Sequence, residues 1–140
     1  MLPLFALVLA AASPTGKELC PGTTTLEVNA CQKAKFDQAD ANLNRYYEAA
    51  LKRLQGDDEP KVRQELVKSQ RDWIIYRDAE CGAVFDNWSG GTIRVSMEIG
   101  CKTQLTQLRT YSIWKNWLTY MDSTPPVLPR PAIELSVAAR

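Results

Sequence analysis

From Thr24 onward, apolar residues recur at three- and four-residue steps. Phe36, Ala39, Leu43, Tyr46, Tyr47, Ala50 and Leu54 fall on one side of a helical repeat, which predicts a long amphipathic helix. Thr24-Thr25-Leu26-Glu27 ahead of it is a capping-box pattern, with Thr24 as the N-cap and Glu27 reaching back. The pattern stops at Gly56-Asp57-Asp58-Glu59-Pro60. Glycine suits a helix end, and proline suits the first turn of the next helix, with acids at its positive end. A second helix carries Val62, Leu66, Ser69, Trp73, Tyr76 and Val84 on one side and ends before Asp86-Asn87-Trp88-Ser89-Gly90-Gly91. A third starts near Thr92 and aligns Ile93, Met97, Cys101, Leu108, Tyr111 and Ser112. No segment alternates with period two over a useful length, and no fixed-period repeat is present. The predicted fold is all-α: a small antiparallel bundle of three long helices plus a short N-terminal segment.

The two ends of the chain have a different character. Residues 1–12 form an apolar run closed by small side chains, the pattern of a secretory signal with cleavage after Ala12, although the usual basic start is missing. Cys20 follows Lys17-Glu18-Leu19 and not the small residues that precede a lipid-modified cysteine, so the expected product is a soluble exported protein, periplasmic or secreted. Residues 13–122 make the helical domain. The tail, 123–140, contains Pro125-Pro126-Val127-Leu128-Pro129-Arg130-Pro131 and is expected to be extended or disordered.

Charge and composition narrow the chemistry. A net charge of +1 from 17 basic and 16 acidic side chains provides no one-signed field to steer the protein to nucleic acid or an anionic membrane. The chain has no histidine, which removes Ser-His-Asp and Cys-His catalysis and the commonest metal ligand. The cysteine spacing C-x10-C-x49-C-x19-C lacks the paired knuckles of a zinc site, so neither metal nor cofactor is expected. In an exported domain of this size four cysteines read as two disulfides. Three pairings are formally open. In an antiparallel bundle Cys31, Cys81 and Cys101 share one end and Cys20 folds back onto Cys31, an arrangement that favours Cys20 with Cys31 and Cys81 with Cys101.

The second helix crowds charge onto its core side. At about 100° per residue, Glu80 lies about 20° and Arg77 about 40° from Trp73, whereas Arg71, Asp72 and Ala79 point away. Buried charges need partners. Arg77 and Glu80 are three apart and can meet directly, and Asp40, Asn44 and Arg109 flank the facing stripes. Two readings follow: a polar network that fixes helix register, or a partly open polar pocket bordered by Trp73 and Tyr76.

A larger pattern contains these residues. It comprises Thr25-x3-Asn29-x-Cys31; Ala39-Asp40-x2-Leu43-Asn44-x2-Tyr47; Gln70-Arg71-x-Trp73-x2-Tyr76-Arg77-Asp78-Ala79-Glu80-Cys81; Gly90-Gly91-Thr92; and Cys101-x3-Leu105-Thr106-x2-Arg109-Thr110. Together these resemble the lysozyme inhibitor LprI family of exported bacterial envelope domains, across residues 20 to 112. The resemblance implies a small helical, disulfide-bonded domain with lysozyme inhibition as the named activity. Its tryptophan, Arg-Asp-x-Glu-Cys and final arginine correspond to Trp73, Arg77, Asp78, Glu80, Cys81 and Arg109, a signature without catalytic assignments. Lys102 stands where an apolar residue is common, and the segment from Trp114 onward has no counterpart.

Three functions compete. A binding module with a protein partner, lysozyme or another cell-wall hydrolase, would use the loop Asp86–Thr92, with Trp88 as an aromatic anchor among small residues. A hydrolase would need Asp78 with Glu80, or Asp57 with Asp58, as acid and base, but helical neighbours one or two apart do not share a face. The chain is therefore read as a non-enzyme. A structural or interaction protein of the envelope would use Trp114, Trp117, Leu118 and Met121, on the side of the third helix opposite Met97, Cys101 and Leu108. That face needs a cover, either the proline-rich tail or another chain.

Overall fold

The computed structural model describes residue 20, residues 22–56 and residues 60–134. The expected signal segment and the Asp57-Asp58 pair lie outside the described residues. Three helices follow in order: α1 (Thr25–Gly56), α2 (Pro60–Asn87) and α3 (Arg94–Trp117). Their ends fall at the punctuation read from the sequence. At the start of α1, Thr24 Oγ1 accepts from the Glu27 backbone N–H at 3.2 Å, and Glu27 Oε2 accepts from the N–H groups of Thr24 and Thr23 at 3.1 and 3.0 Å. These donors hold the Glu27 carboxyl below its ordinary pKa, Thr24 most strongly and then Thr23.

α3 is the central element: it packs most extensively on α1 and next on α2, while α1 and α2 touch least. Cross-links give the directions. Asp40 of α1 meets Arg77 of α2, and Arg77 also reaches Thr106 of α3. Gln70 of α2 meets Arg109 of α3, and Cys81 is bonded to Cys101. α2 therefore runs antiparallel to both of its neighbours, as three helices joined by short links must.

Both expected disulfides are present, Cys20–Cys31 and Cys81–Cys101, each with Cα atoms 5.6 Å apart. The apolar core is Leu43, Tyr46, Ala50 and Leu54 of α1 with Leu66, Ile113 and Leu118. On α1 the buried stripe is the one read from the sequence. On α2 it is rotated: the buried residues are Leu66, Gln70, Arg77 and Cys81, with Trp73 half-buried among them, and Ser69 and Tyr76 face outward. On α3 the buried positions are Thr106, Thr110 and Ile113, while Leu108 and Ile93 are exposed. Hydroxyl residues can line this seam because each finds a partner. Thr110 Oγ1 donates to the Thr106 carbonyl at 3.0 Å, and Thr106 Oγ1 accepts from Arg77.

The proline-rich tail is extended and folds back over the Trp114 side of α3. Val127 N–H donates to the Leu118 carbonyl at 2.9 Å, Trp114 Nε1 to the Leu128 carbonyl at 2.9 Å, and the Tyr46 hydroxyl to the Pro129 carbonyl at 2.8 Å. Arg53 closes the end of α3 by donating to the carbonyls of Trp117 and Thr119 at 2.7 and 3.0 Å. The Trp117 carbonyl, at the last position of α3, lies at the negative end of the helix dipole, where a cation is favourable.

Candidate functional site

Two arginines occupy the middle of the bundle, both within about 6 Å of the Trp73 ring centroid. Arg77 enters from α2 with its side chain only 11% exposed. Its Nη1 donates to Asp40 Oδ1 at 3.2 Å and to Thr106 Oγ1 at 3.5 Å, and its Nε donates to Asp78 Oδ1 at 3.0 Å. The guanidinium also lies 5.3 Å from the Phe36 ring centroid and 5.2 Å from that of Trp73. One side chain thus ties α1, α2 and α3 together. The carboxylates that balance it are at the wet edge, Asp40 41% and Asp78 53% exposed. The charge is therefore neutralised without fully dehydrating both partners.

Arg109 of α3 is held differently. Its Nε donates to Gln70 Oε1 at 3.0 Å and its Nη2 to Ser69 Oγ at 2.9 Å, and its guanidinium lies 5.9 Å from the Trp73 ring. Among the described residues it forms no ion pair. Burial pulls its pKa down, opposed by Tyr47, yet a guanidinium stays protonated throughout the physiological range. Gln70, nearly fully buried, is the acceptor that makes this burial tolerable.

The geometry corrects part of the sequence reading. Glu80 does not pair with Arg77: it is exposed and makes no hydrogen bond or ion pair among the described residues. Rotation of α2 toward Gln70 and Arg77 turns Glu80 outward with Ser69 and Tyr76, and Asp78, at the next position, takes its place. Asn44 is exposed and makes no hydrogen bond among the described residues, and Tyr76 is 53% exposed. Asp40, Trp73, Arg77, Asp78 and Arg109 are brought together. The residues not anticipated are Gln70 and Thr106; they share helical repeats with Trp73, Arg77 and Cys81 and with Thr110 and Ile113, but their polarity does not mark them as inward.

Trp88 lies apart from this cluster, in the turn between α2 and α3. Ser89 N–H donates to the Asp86 carbonyl at 3.1 Å and Gly91 N–H to the Trp88 carbonyl at 3.0 Å. Trp88 is 41% exposed, and Ile93 and Val95 beside it are also exposed. Arg94 packs its guanidinium 4.6 Å from the Phe85 ring centroid, joining the two stems, and Cys81–Cys101 closes them further in. A Cβ at Gly90 would meet nothing within 4 Å, and one at Gly91 only ordinary contacts. These glycines therefore loosen the turn and are not required by crowding.

The family described as Lysozyme inhibitor LprI matches residues 20–113, a span that holds both arginine clusters, both disulfides and the Trp88 turn. The chain belongs to the LprI family. An uncharacterized protein of Rhizobium meliloti (strain 1021) is 27% identical over 122 residues, covering 77% of this chain and 88% of that protein. No solved structure matches the chain. Within the LprI segment the Arg77 cluster is a hydrogen-bonded knot filled by its own side chains. Exposed large apolar side chains of that segment include those of the Trp88 turn and of the outer face of α2, and Leu26 and Leu108. The tail and Trp114 lie beyond the match; of the face that suggested a structural envelope protein, Trp114 and Leu118 bond to the tail, Leu118 is buried, and Met121 is fully exposed. No described helix is long and apolar enough to cross a membrane.

Proposed function

We propose that this LprI domain is an exported binding module of the bacterial envelope that inhibits lysozyme or a related muramidase by covering its cleft, without turnover of its own. The observation that carries this reading is the Trp88 turn: an exposed aromatic on a short link whose stems are joined by Cys81–Cys101. A large ring with few rotatable bonds is a common interface anchor. A covalently closed turn also has less freedom to lose on docking. The two disulfides and the family membership support an extracytoplasmic, periplasmic or secreted, location. A lysozyme-type cleft works through two carboxylates with separated pKa values, so an inhibitor needs only to exclude substrate and can do so without reactive groups. With a net charge of +1, recognition rests on shape and apolar contact more than on steering.

A muramidase assay with the disulfide-intact protein, titrated to concentrations on the order of micromolar, should show loss of rate. Trp88→Ala should weaken inhibition by about 1 kcal/mol, roughly five-fold, with little change in melting temperature. An unaffected muramidase would remove the inhibitor reading. Undiminished inhibition by Trp88→Ala would move the contact surface elsewhere.

A further inference from the structure

The segment after α3 has the composition of a ligand. Pro125-Pro126-Val127-Leu128-Pro129-Arg130-Pro131 holds four prolines in seven residues, with Pro126 and Pro129 in P-x-x-P spacing. Proline fixes φ and removes the backbone donor, leaving a stiff strand whose carbonyls are its main polar handles. Aromatic-lined grooves elsewhere recognise such strands at low entropic cost.

The body of this protein presents a groove of that kind between α1 and α3. Two consecutive carbonyls of the strand are each read by an aromatic side chain, Leu128 by the Trp114 indole N–H at 2.9 Å and Pro129 by the Tyr46 hydroxyl at 2.8 Å. The Arg130 guanidinium lies 5.3 Å from the Tyr111 ring centroid, and Gln107 Oε1 accepts from the Glu134 N–H at 3.1 Å. Along the strand only Pro131 is buried and only Leu128 and Ile133 are half-buried; residues 124–127 and 129–130 are exposed. The tail thus lies on a surface built by the helices and is held through its main-chain carbonyls and through Leu128, which packs against the core cluster.

Nothing in these contacts requires groove and strand to belong to one molecule. The donors Tyr46 and Trp114 sit on α1 and α3, and the acceptors sit on the tail. The connection at residues 120–127 is exposed throughout. Arg53 grips the chain just before it, at the Thr119 carbonyl, so departure of the strand breaks the Val127 N–H bond to the Leu118 carbonyl and leaves this clamp in place. We propose that the α1–α3 groove is a binding site for an extended proline-rich peptide, and that its partner in trans is the same strand of a second copy, exchanged reciprocally into a two-fold dimer. Exchange keeps each contact and alters only the path of the linker. In a single molecule the short tether gives an effective concentration on the order of millimolar. The monomer therefore prevails when dilute, and exchange emerges as protein concentration approaches that value.

Full-chain variants with both disulfides intact test this. Leu128→Asp spoils the strand and leaves the groove; Tyr46→Phe with Trp114→Phe spoils the groove donors and leaves the strand. A fluorescein-labelled peptide with the sequence of residues 122–134 should bind the Leu128→Asp protein about tenfold more tightly than wild type, whose own tail competes. Adding the two groove substitutions to that protein should abolish binding. In light scattering near millimolar concentration wild type should form dimers and Leu128→Asp alone should not. An equimolar mixture of Leu128→Asp with the double groove variant should form a heterodimer. The proposal is overturned if the folded Leu128→Asp protein does not bind the peptide. It also fails if both Leu128→Asp and Leu128→Ala lose their helical circular dichroism, since the strand is then core packing. Peptide binding by Leu128→Asp together with a wild type that stays monomeric overturns the second copy as partner and leaves a foreign proline-rich segment as the occupant.

Discussion

The two ends of the bundle are closed by different means. Where α1 starts and α2 meets α3, closure is covalent: Cys20–Cys31 and Cys81–Cys101 lie there, and Ala39 and Cys81 are the only buried apolar side chains near them among the described residues. At the opposite end no cysteine is present, and Tyr46, Ala50, Leu54, Leu66, Ile113 and Leu118 supply an apolar cluster sealed by the Arg53 clamp and the tail. A chain this short has limited apolar surface to bury. It concentrates that surface at one end and restrains the other by cross-links, with the layer of Arg77, Arg109 and Trp73 between them. A disulfide stabilises chiefly by restricting the unfolded chain and needs no core beside it. This end is therefore free to spend its side chains on an exposed turn.

The largest effect that separates the ends should come from Cys81→Ala with Cys101→Ala. For a bridge across a sequence separation of 20, stability should fall by about 3 kcal/mol in denaturant titration. Amide exchange should rise in the first turns of α3 well before it rises around Ile113. Uniform loss of protection along α3 would mean that the two ends are a single cooperative unit.

The layer between the ends gives the next effect. Arg77→Leu removes the donor shared by three helices and should cost about 2 kcal/mol, the low end for a broken ion pair because Asp40 and Asp78 keep partial access to water. Adding Asp40→Leu should recover part of the loss in a double-mutant cycle. An Arg77→Leu protein as stable as wild type but deficient in partner binding would assign the cluster to recognition and not to register.

The smallest effect is expected at the cap of α1. Glu27 titrates below its ordinary 4.5 because the Thr24 and Thr23 N–H groups favour its charged form. A lowered folded-state pKa means that the contribution is fully present above 4.5 and is lost as pH falls through the folded value. Acidification should therefore raise amide exchange in the first turn of α1, and Glu27→Gln should flatten that dependence. A Glu27 carboxyl that titrates at its ordinary value by NMR would show that the cap is not formed in solution.

Helix number, helix ends and the α1 stripe were legible because each is a local signal: a capping box, a glycine stop, a proline start, a 3.6-residue repeat. Both disulfides were legible once the antiparallel order was assumed. The orientation of α2 was not. Ranking side chains by hydropathy places Tyr76 inward and Gln70 outward, but Gln70 is buried because Arg109 needs an acceptor, a demand that only the assembled bundle creates. The same holds for Thr106 facing Arg77 and for Asp78 replacing Glu80. In each case the partner lies 29 or more residues away or depends on a rotation of α2 that such distant partners set. The fate of the tail was narrowed to two covers for one face; its carbonyls meet Trp114 and Tyr46, while Met121 of that face stays exposed.

The inward placement of Leu118 has a practical consequence. The family match ends at residue 113, yet Leu118 is fully buried in the same cluster as Tyr46 and Leu54, and Trp114 packs against it. The end of the family match and the folding boundary therefore do not coincide in this protein. An expression fragment cut where the family ends would expose the largest apolar surface the domain possesses. Insolubility of such a fragment would report a misplaced cut, and would say nothing about whether the matched segment can bind.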